Sequence, residues 1–291
     1  MQNIITNYFI KVKKGQKNKG FDKKNEKKMI DEFRCITKII ELDKNHKLRL
    51  EKCNENCRYK NILPYKDNIV KLTSSNNFIN ASWIHMPYPY YFIATQGPLP
   101  NTIEDFWTMC DEYDIEAIVM LCKLKEDGNE KCANYWDTKY LINYEIKKIE
   151  EKDLDNGITL RKFQLINIYQ KNRNKLITQI HLNCWVDHTA LNEEHIDKII
   201  TIIKFVDQYR NNKPVVVHCS AGVGRTGTFI SLYNMYHEIM QQIYIIKNEI
   251  IQISVFNLVR KLKEMRMFMV ENENQYHFLY VFLNYILAYN N

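Results

Sequence analysis

Cys219 and Arg225 stand six positions apart in the string His218-Cys219-Ser220-Ala221-Gly222-Val223-Gly224-Arg225-Thr226-Gly227. A loop containing Gly222 and Gly224 can turn the N–H groups of Ser220, Ala221, Gly222, Val223 and Gly224 toward one point. A helix starting there adds its positive dipole end. Such a cradle takes a phosphate dianion, and the same field favours a thiolate at Cys219. Arg225 can fork two phosphoryl oxygens, which lysine cannot do bidentately. Thr226 brings a hydroxyl near the sulfur, suited to a thiolate leaving group. The competing reading, a buried cysteine at a strand end, is disfavoured by the ten-residue string as a whole.

The surrounding pattern supplies elements to hold this loop. Val215 to Val217 reads as a buried strand and Arg225 to Met240 as a helix, giving strand, tight loop and helix in succession. Ala117 to Leu121 is an apolar run without alternation, as expected of a strand covered on both faces. Tyr91 to Ala94 reads as a strand, and Thr102-x-x-Asp105 predicts a capping box before Phe106 and Trp107. Leu141 to Val186 alternates, with Asn-Gly at 156–157, and predicts antiparallel strands. Helices are predicted over Ile30 to Leu42, Glu193 to Tyr209, Val255 to Met265 and Asn272 to Tyr289, the last capped by Asn272 with Gln275 three on. The class is mixed α/β (α+β), a central twisted mixed sheet flanked by helices.

The chain of 291 residues, 45% apolar and 12% aromatic, has ample material for a core. No repeat or linker divides it, so one domain is expected from about residue 28 to 291. Residues 1–27 read as a basic, solvated arm, with nuclear import or an anionic membrane contact as sharper alternatives. The formal charge of +7 favours anionic partners, although nucleic acid is not expected. The eight cysteines have no framework spacing, and Cys53 with Cys57 lacks the second pair a zinc site needs. The most apolar run, Phe278 to Tyr289, is far shorter than the ~20 residues of a membrane span. A reduced, cytoplasmic setting follows, and it suits a reactive thiol.

Several blocks in order resemble the tyrosine-specific, cysteine-dependent protein tyrosine phosphatase domains, across roughly residues 28–291. They are Arg58-Tyr59-Lys60-Asn61-Ile62-Leu63-Pro64-Tyr65, Phe78-Ile79-Asn80-Ala81-Ser82, Ala94-Thr95-Gln96-Gly97-Pro98, and Glu126 with Lys131-Cys132-Ala133-Asn134-Tyr135-Trp136. The resemblance implies hydrolysis of phosphotyrosine in proteins through a phosphocysteine, with no metal or cofactor. It implies that Glu126 supports Arg225 and that His218, Trp185 and Lys131 belong to the surrounding frame. It also implies that Asn61 holds the substrate backbone. Tyr59 would wall a deep slot that phosphotyrosine fills and phosphoserine cannot. The compact domain and the Asn, Lys and Ile bias resemble phosphatases of bracoviruses, which would make host signalling proteins the targets.

Two blocks depart from the family pattern. Where the family has Trp-Pro-Asp, this chain has Trp185-Val186-Asp187. The expected general acid, Asp187, is kept, while losing proline frees φ and shifts the loop's open–closed balance. Where the family has Gln-Thr, this chain has Glu271-Asn272, although Gln275 is kept. Glu271 occupies the place that orients the attacking water. Lys263 stands where the family generally has arginine. Two readings follow: a phosphatase, or a weakly active pseudophosphatase that binds and traps phosphotyrosine proteins. A phosphoinositide phosphatase fits poorly, because no lysine lies between Cys219 and Arg225. The sequence leaves substrate identity and oligomeric state open.

Overall fold

The computed structural model describes residues 10–13, 23–41, 55–73, 78–86, 91–137, 141–154, 157–169, 174–185 and 191–289. In chain order the first elements are strand β1 (Ile10–Lys13), helix α1 (Lys23–Glu41), strands β2 (Ile69–Lys71), β3 (Phe78–His85) and β4 (Tyr91–Thr95), and helix α2 (Ile103–Glu112). Strand β5 (Ala117–Met120) and the short hairpin β6 (Lys125–Glu126) and β7 (Asn129–Glu130) follow. Next come β8 (Tyr144–Asp153), β9 (Ile158–Asn167), β10 (Asn174–Leu182) and helix α3 (Ile196–Tyr209). The chain ends with β11 (Val215–His218), α4 (Gly224–Met240), β12 (Ile250–Ile253), α5 (Val255–Met265) and α6 (Glu273–Tyr289).

Eight strands form one mixed sheet in the order β2-β3-β4-β11-β5-β10-β9-β8. The unalternated runs take its centre: every residue of β5 and β11 is buried, as both faces are covered. The alternating strands β8, β9 and β10 form the antiparallel flank. β4, β11, β5 and β10 are mutually parallel. Their carboxyl ends therefore open on one side, where ligands of open α/β sheets bind. α4 follows β11 and is buried without interruption from Gly224 to Met235, as expected of a helix covered all round.

Some boundaries differ from the sequence reading. Thr102 does not cap α2 with its side chain. A short 3-10 turn, Pro100–Thr102, precedes the helix, and the Thr102 hydroxyl accepts from the Leu99 N–H at 2.9 Å. Asn272 does cap α6, its Oδ1 accepting from Gln275 N at 2.9 Å. α1 starts at Lys23, ahead of the apolar spacing. Within the stretch read as a solvated arm, Ile10–Lys13 pairs antiparallel with Ile250–Ile253. Ile10-Lys11-Val12-Lys13 does alternate apolar and basic residues, but four residues inside a lysine-rich stretch are too short an alternation to single out a strand, and its partner lies about 240 residues away.

Candidate active site

Four parallel strands deliver the site. β11 runs into the Cys219 loop, and β4 runs into Gln96-Gly97. β5 leads to the hairpin bearing Glu126, and β10 leads to Trp185. The loop amides stitch these ends together: Gly97 N–H donates to Ser220 O and Leu121 N–H to His218 O, both at 2.9 Å.

The Cys219 loop is shaped by its glycines. Gly222 has φ +72°, and a Cβ there would sit 2.1 Å from the Thr95 carbonyl oxygen, so only glycine fits. Its N–H donates to the Cys219 sulfur at 3.3 Å. Cys219 is 4% exposed and lines an open cavity of about 220 Å³. Ser220, Ala221, Gly224 and Arg225 line the same cavity. Thr226 is wholly buried, and its hydroxyl oxygen has no hydrogen-bond partner among the described residues.

A second arginine, missed by the sequence reading, braces this loop from behind. Arg266 is fully buried, donating Nε–H to Gly222 O at 2.8 Å and Nη2–H to Ala221 O at 3.2 Å. Its remaining donors meet Ser82 Oγ at 3.0 Å and Asn80 Oδ1 at 2.8 Å. Holding two carbonyls outward turns the loop's N–H groups inward. Burial lowers its pKa to about 10, so the guanidinium keeps its charge near neutrality. The only sequence signal was its closeness to the Glu271 block, since an isolated buried arginine cannot be told from an exposed one.

Arg225 is 2% exposed and meets Glu126 with both ends of its fork: Nη1 to Oε1 at 2.8 Å and Nη2 to Oε2 at 3.0 Å. Nη1 also donates to Trp185 O at 2.9 Å. Glu126 is presented by the hairpin turn Asp127-Gly128, where both residues have positive φ. The Lys123 N–H, 2.9 Å from Glu126 Oε1, pins the carboxylate further. Val186 and Asp187 lie outside the described residues.

The Tyr59 loop closes another wall. Tyr59 Oη lies 2.9 Å from Ser220 Oγ. Arg58 anchors this segment, donating to Gly97 O at 2.9 Å and Pro98 O at 2.6 Å, while its own N–H reaches Gln96 Oε1. Asn61 and Lys131 also line the cavity. Cys57 is buried, with Asn80 Nδ2 3.7 Å from its sulfur, and Cys53 lies outside the described residues.

Glu271 lines the cavity as well. Its Oε2 would be 2.7 Å from a Cβ on Gly224, so the carboxylate rests directly on the loop backbone. Gln275 packs on the same glycine and accepts the Glu271 N–H at 2.8 Å. Behind them Lys263 is buried, donating to Val270 O at 2.9 Å with its ammonium 5.0 Å from the Phe33 ring centre. Burial lowers the Lys263 pKa to about 8, and the Glu271 charge works against that shift.

His218 lies beneath the loop, wholly buried, with Nε2 3.1 Å from Tyr135 Oη and Nδ1 3.2 Å from Cys219 O. Desolvation pushes its pKa down to about 3, so the ring is neutral. The contacts then fit a proton on Nδ1, with Tyr135 donating to Nε2 and accepting from Gln179 Nε2 at 2.5 Å.

The family model for protein-tyrosine phosphatase matches residues 53–285. Human receptor-type tyrosine-protein phosphatase eta is 39% identical over 238 residues, 76% of this chain and 17% of that protein. Rat tyrosine-protein phosphatase non-receptor type 20 is 32% identical over 272 residues, 90% of this chain and 61% of that one. This chain thus spans about a sixth of the first relative and about three fifths of the second. The solved catalytic domain of human protein tyrosine phosphatase non-receptor type 18 superposes with a TM-score of 0.75 at 26% identity, covering 90% of this chain and 96% of that one. PTPN18 in complex with HER2-pY1196 phosphopeptides gives 0.77 at 27% identity, with 89% and 92% covered. By sequence and by fold, the chain belongs to the protein-tyrosine phosphatase family.

Proposed function

We propose that this chain hydrolyses phosphotyrosine in proteins through a phosphocysteine at Cys219. The observation that carries the reading is the convergence of the Cys219 sulfur, the Glu126-clamped Arg225 and the Tyr59 wall on one cavity. Phosphate enters with its equatorial oxygens on Arg225 and the loop amides, and sulfur attacks phosphorus in line. The S–P bond forms as the P–O bond to tyrosine breaks. Asp187 protonates the departing phenolate and afterwards takes a proton from water as the S–P bond is cleaved. Thr226 hydrogen-bonds the returning thiolate, and Gln275 helps set the water. Asn61 holds the substrate backbone. An intracellular setting suits the free thiol, and host signalling phosphoproteins are the targets that the bracovirus resemblance implies.

The carboxylate of Glu271 inside the cavity favours a second reading, in which the phosphocysteine breaks down slowly and the chain acts more as a trap than as a turnover enzyme. Steady-state turnover on matched phosphotyrosine and phosphoserine peptides tests both. A phosphatase with a deep slot prefers phosphotyrosine at least tenfold. Equal handling of the two peptides refutes the slot, and tight phosphotyrosine binding with negligible turnover selects the trap.

A further inference from the structure

Charge is strongly segregated along this chain. Residues 11–28 hold nine lysines against Asp22 and Glu26, leaving 32 basic and 32 acidic residues elsewhere. The whole formal excess of +7 thus resides in that short segment. Six of its lysines fall on β1 and the first turns of α1. β1 in turn is fastened to β12, with Lys11 opposite Gln252 and Lys13 opposite Ile250.

Just before β12 the chain leaves α4 through a π-helical turn, Gln241–Ile245. The end of this turn and the link into β12 expose large apolar side chains in close succession: Tyr244 (58%), Ile245 (75%), Ile246 (54%) and Ile250 (56%). Ile251 and Ile253 point into the core, so the outward side chains form a separate ridge. Exposed Lys247 interrupts the ridge, and Glu249 is the one acid within it. None of these residues lines the Cys219 cavity.

Four large apolar side chains exposed within seven residues mark an interaction surface. Its neighbours decide the partner. A nucleic acid would use the lysines but leave four apolar side chains in water. A second copy of this chain would cover the apolar side chains but bring lysine against lysine. An anionic bilayer satisfies both, taking aliphatic and aromatic groups at the headgroup boundary and attracting basic residues around them. We propose that the β1–β12 face attaches this protein peripherally to anionic lipid bilayers. Tyr244, Ile245, Ile246 and Ile250 enter the interface, and Lys11 and Lys247 lie against the headgroups. This places the phosphatase domain at a membrane surface whatever the turnover rate at Cys219.

The test is cosedimentation of the full chain with phosphatidylcholine vesicles, with and without phosphatidylserine. Binding is expected only with phosphatidylserine, weakening as salt is raised. Ile245→Ser with Ile246→Ser should lower the partition coefficient roughly tenfold or more, because apolar burial is lost. Lys11→Glu with Lys247→Glu should do the same by charge. Unchanged thermal melting of both variants shows that the fold is intact. Absence of pelleting, equal pelleting with neutral vesicles, or indifference to both variants overturns the proposal. A lipid-free dimer dissolved by the isoleucine changes would assign the ridge to a second copy. Binding of a DNA duplex without vesicle binding, weakened by the lysine changes alone, would assign the lysines to nucleic acid.

Discussion

Replacing Glu271 by glutamine should raise kcat by roughly tenfold. Glu271 Oε2 rests on Gly224, in the cavity that holds Cys219 and Arg225. A phosphoryl group bound there would lie about 5 Å away, and at an effective dielectric near 20 each charge pair repels by about 3 kcal/mol. Glu271 is solvent-exposed, and the Lys263 ammonium couples to it from behind. Both reduce the penalty, to about half, which is about a factor of ten. Glutamine removes the charge and adds a donor, so its amide can both accept from water and donate to a phosphoryl oxygen. The repulsion acts most on hydrolysis of the phosphocysteine, so the native chain should show a burst of released tyrosine followed by slow turnover. The burst should shrink in Glu271→Gln. Rapid-quench kinetics from pH 5 to about pH 9.5 compares the two proteins. Lys263 adds a second signature: as its pKa lies at about 8, the native protein alone should slow further above that pH, when the compensating charge is lost. If Glu271→Gln leaves kcat, the burst and the pH profile unaltered, the electrostatic argument is wrong.

Three further outcomes follow from the geometry. Glu126→Gln keeps the shape but faces an amide toward one arm of Arg225, and breaking a buried pair of this kind costs about 3–5 kcal/mol. A drop of several degrees in melting temperature and a loss of vanadate protection of Cys219 against iodoacetate should appear together. Gly222→Ala forces a methyl group to within 2.1 Å of Thr95 O at φ +72°. Phosphate binding by calorimetry should vanish, and retained affinity would refute the assigned loop geometry. Acid stability depends on two buried histidines, with pKa values pushed down by desolvation to about 3 in His218 and about 4 in His181. The unfolded chain binds these protons near pH 6.5 while the folded chain does not. Their contribution is therefore complete above about pH 6.5 and is lost as pH falls toward 4 and 3, at up to about 1.4 kcal/mol per pH unit for each ring. A melting temperature flat between pH 6 and pH 4 would refute that assignment.

Local pattern determined much of this molecule. The unalternated runs of β5 and β11 predicted central strands, because a strand covered on both faces must be apolar throughout. The spacing of Cys219, Gly222, Gly224 and Arg225 marked a phosphate cradle, because backbone conformation and the helix start are written within ten residues. The Asn272 cap was readable for the same reason. Only tertiary structure brought Arg266 under the loop and set Glu126 on Arg225, since those contacts span 44 and 99 positions and depend on which strands become neighbours. It also showed that Glu271 faces the cavity, a matter of which side of a loop packs on Gly224. The same limit hid the strand at Ile10–Lys13. Its lysines read as solvated, and only pairing with Ile250–Ile253, made possible by the chain's return after α4, fixes that segment beside an apolar ridge. Short-range periodicity encodes what a segment buries, whereas what it is buried against depends on the path of the whole chain.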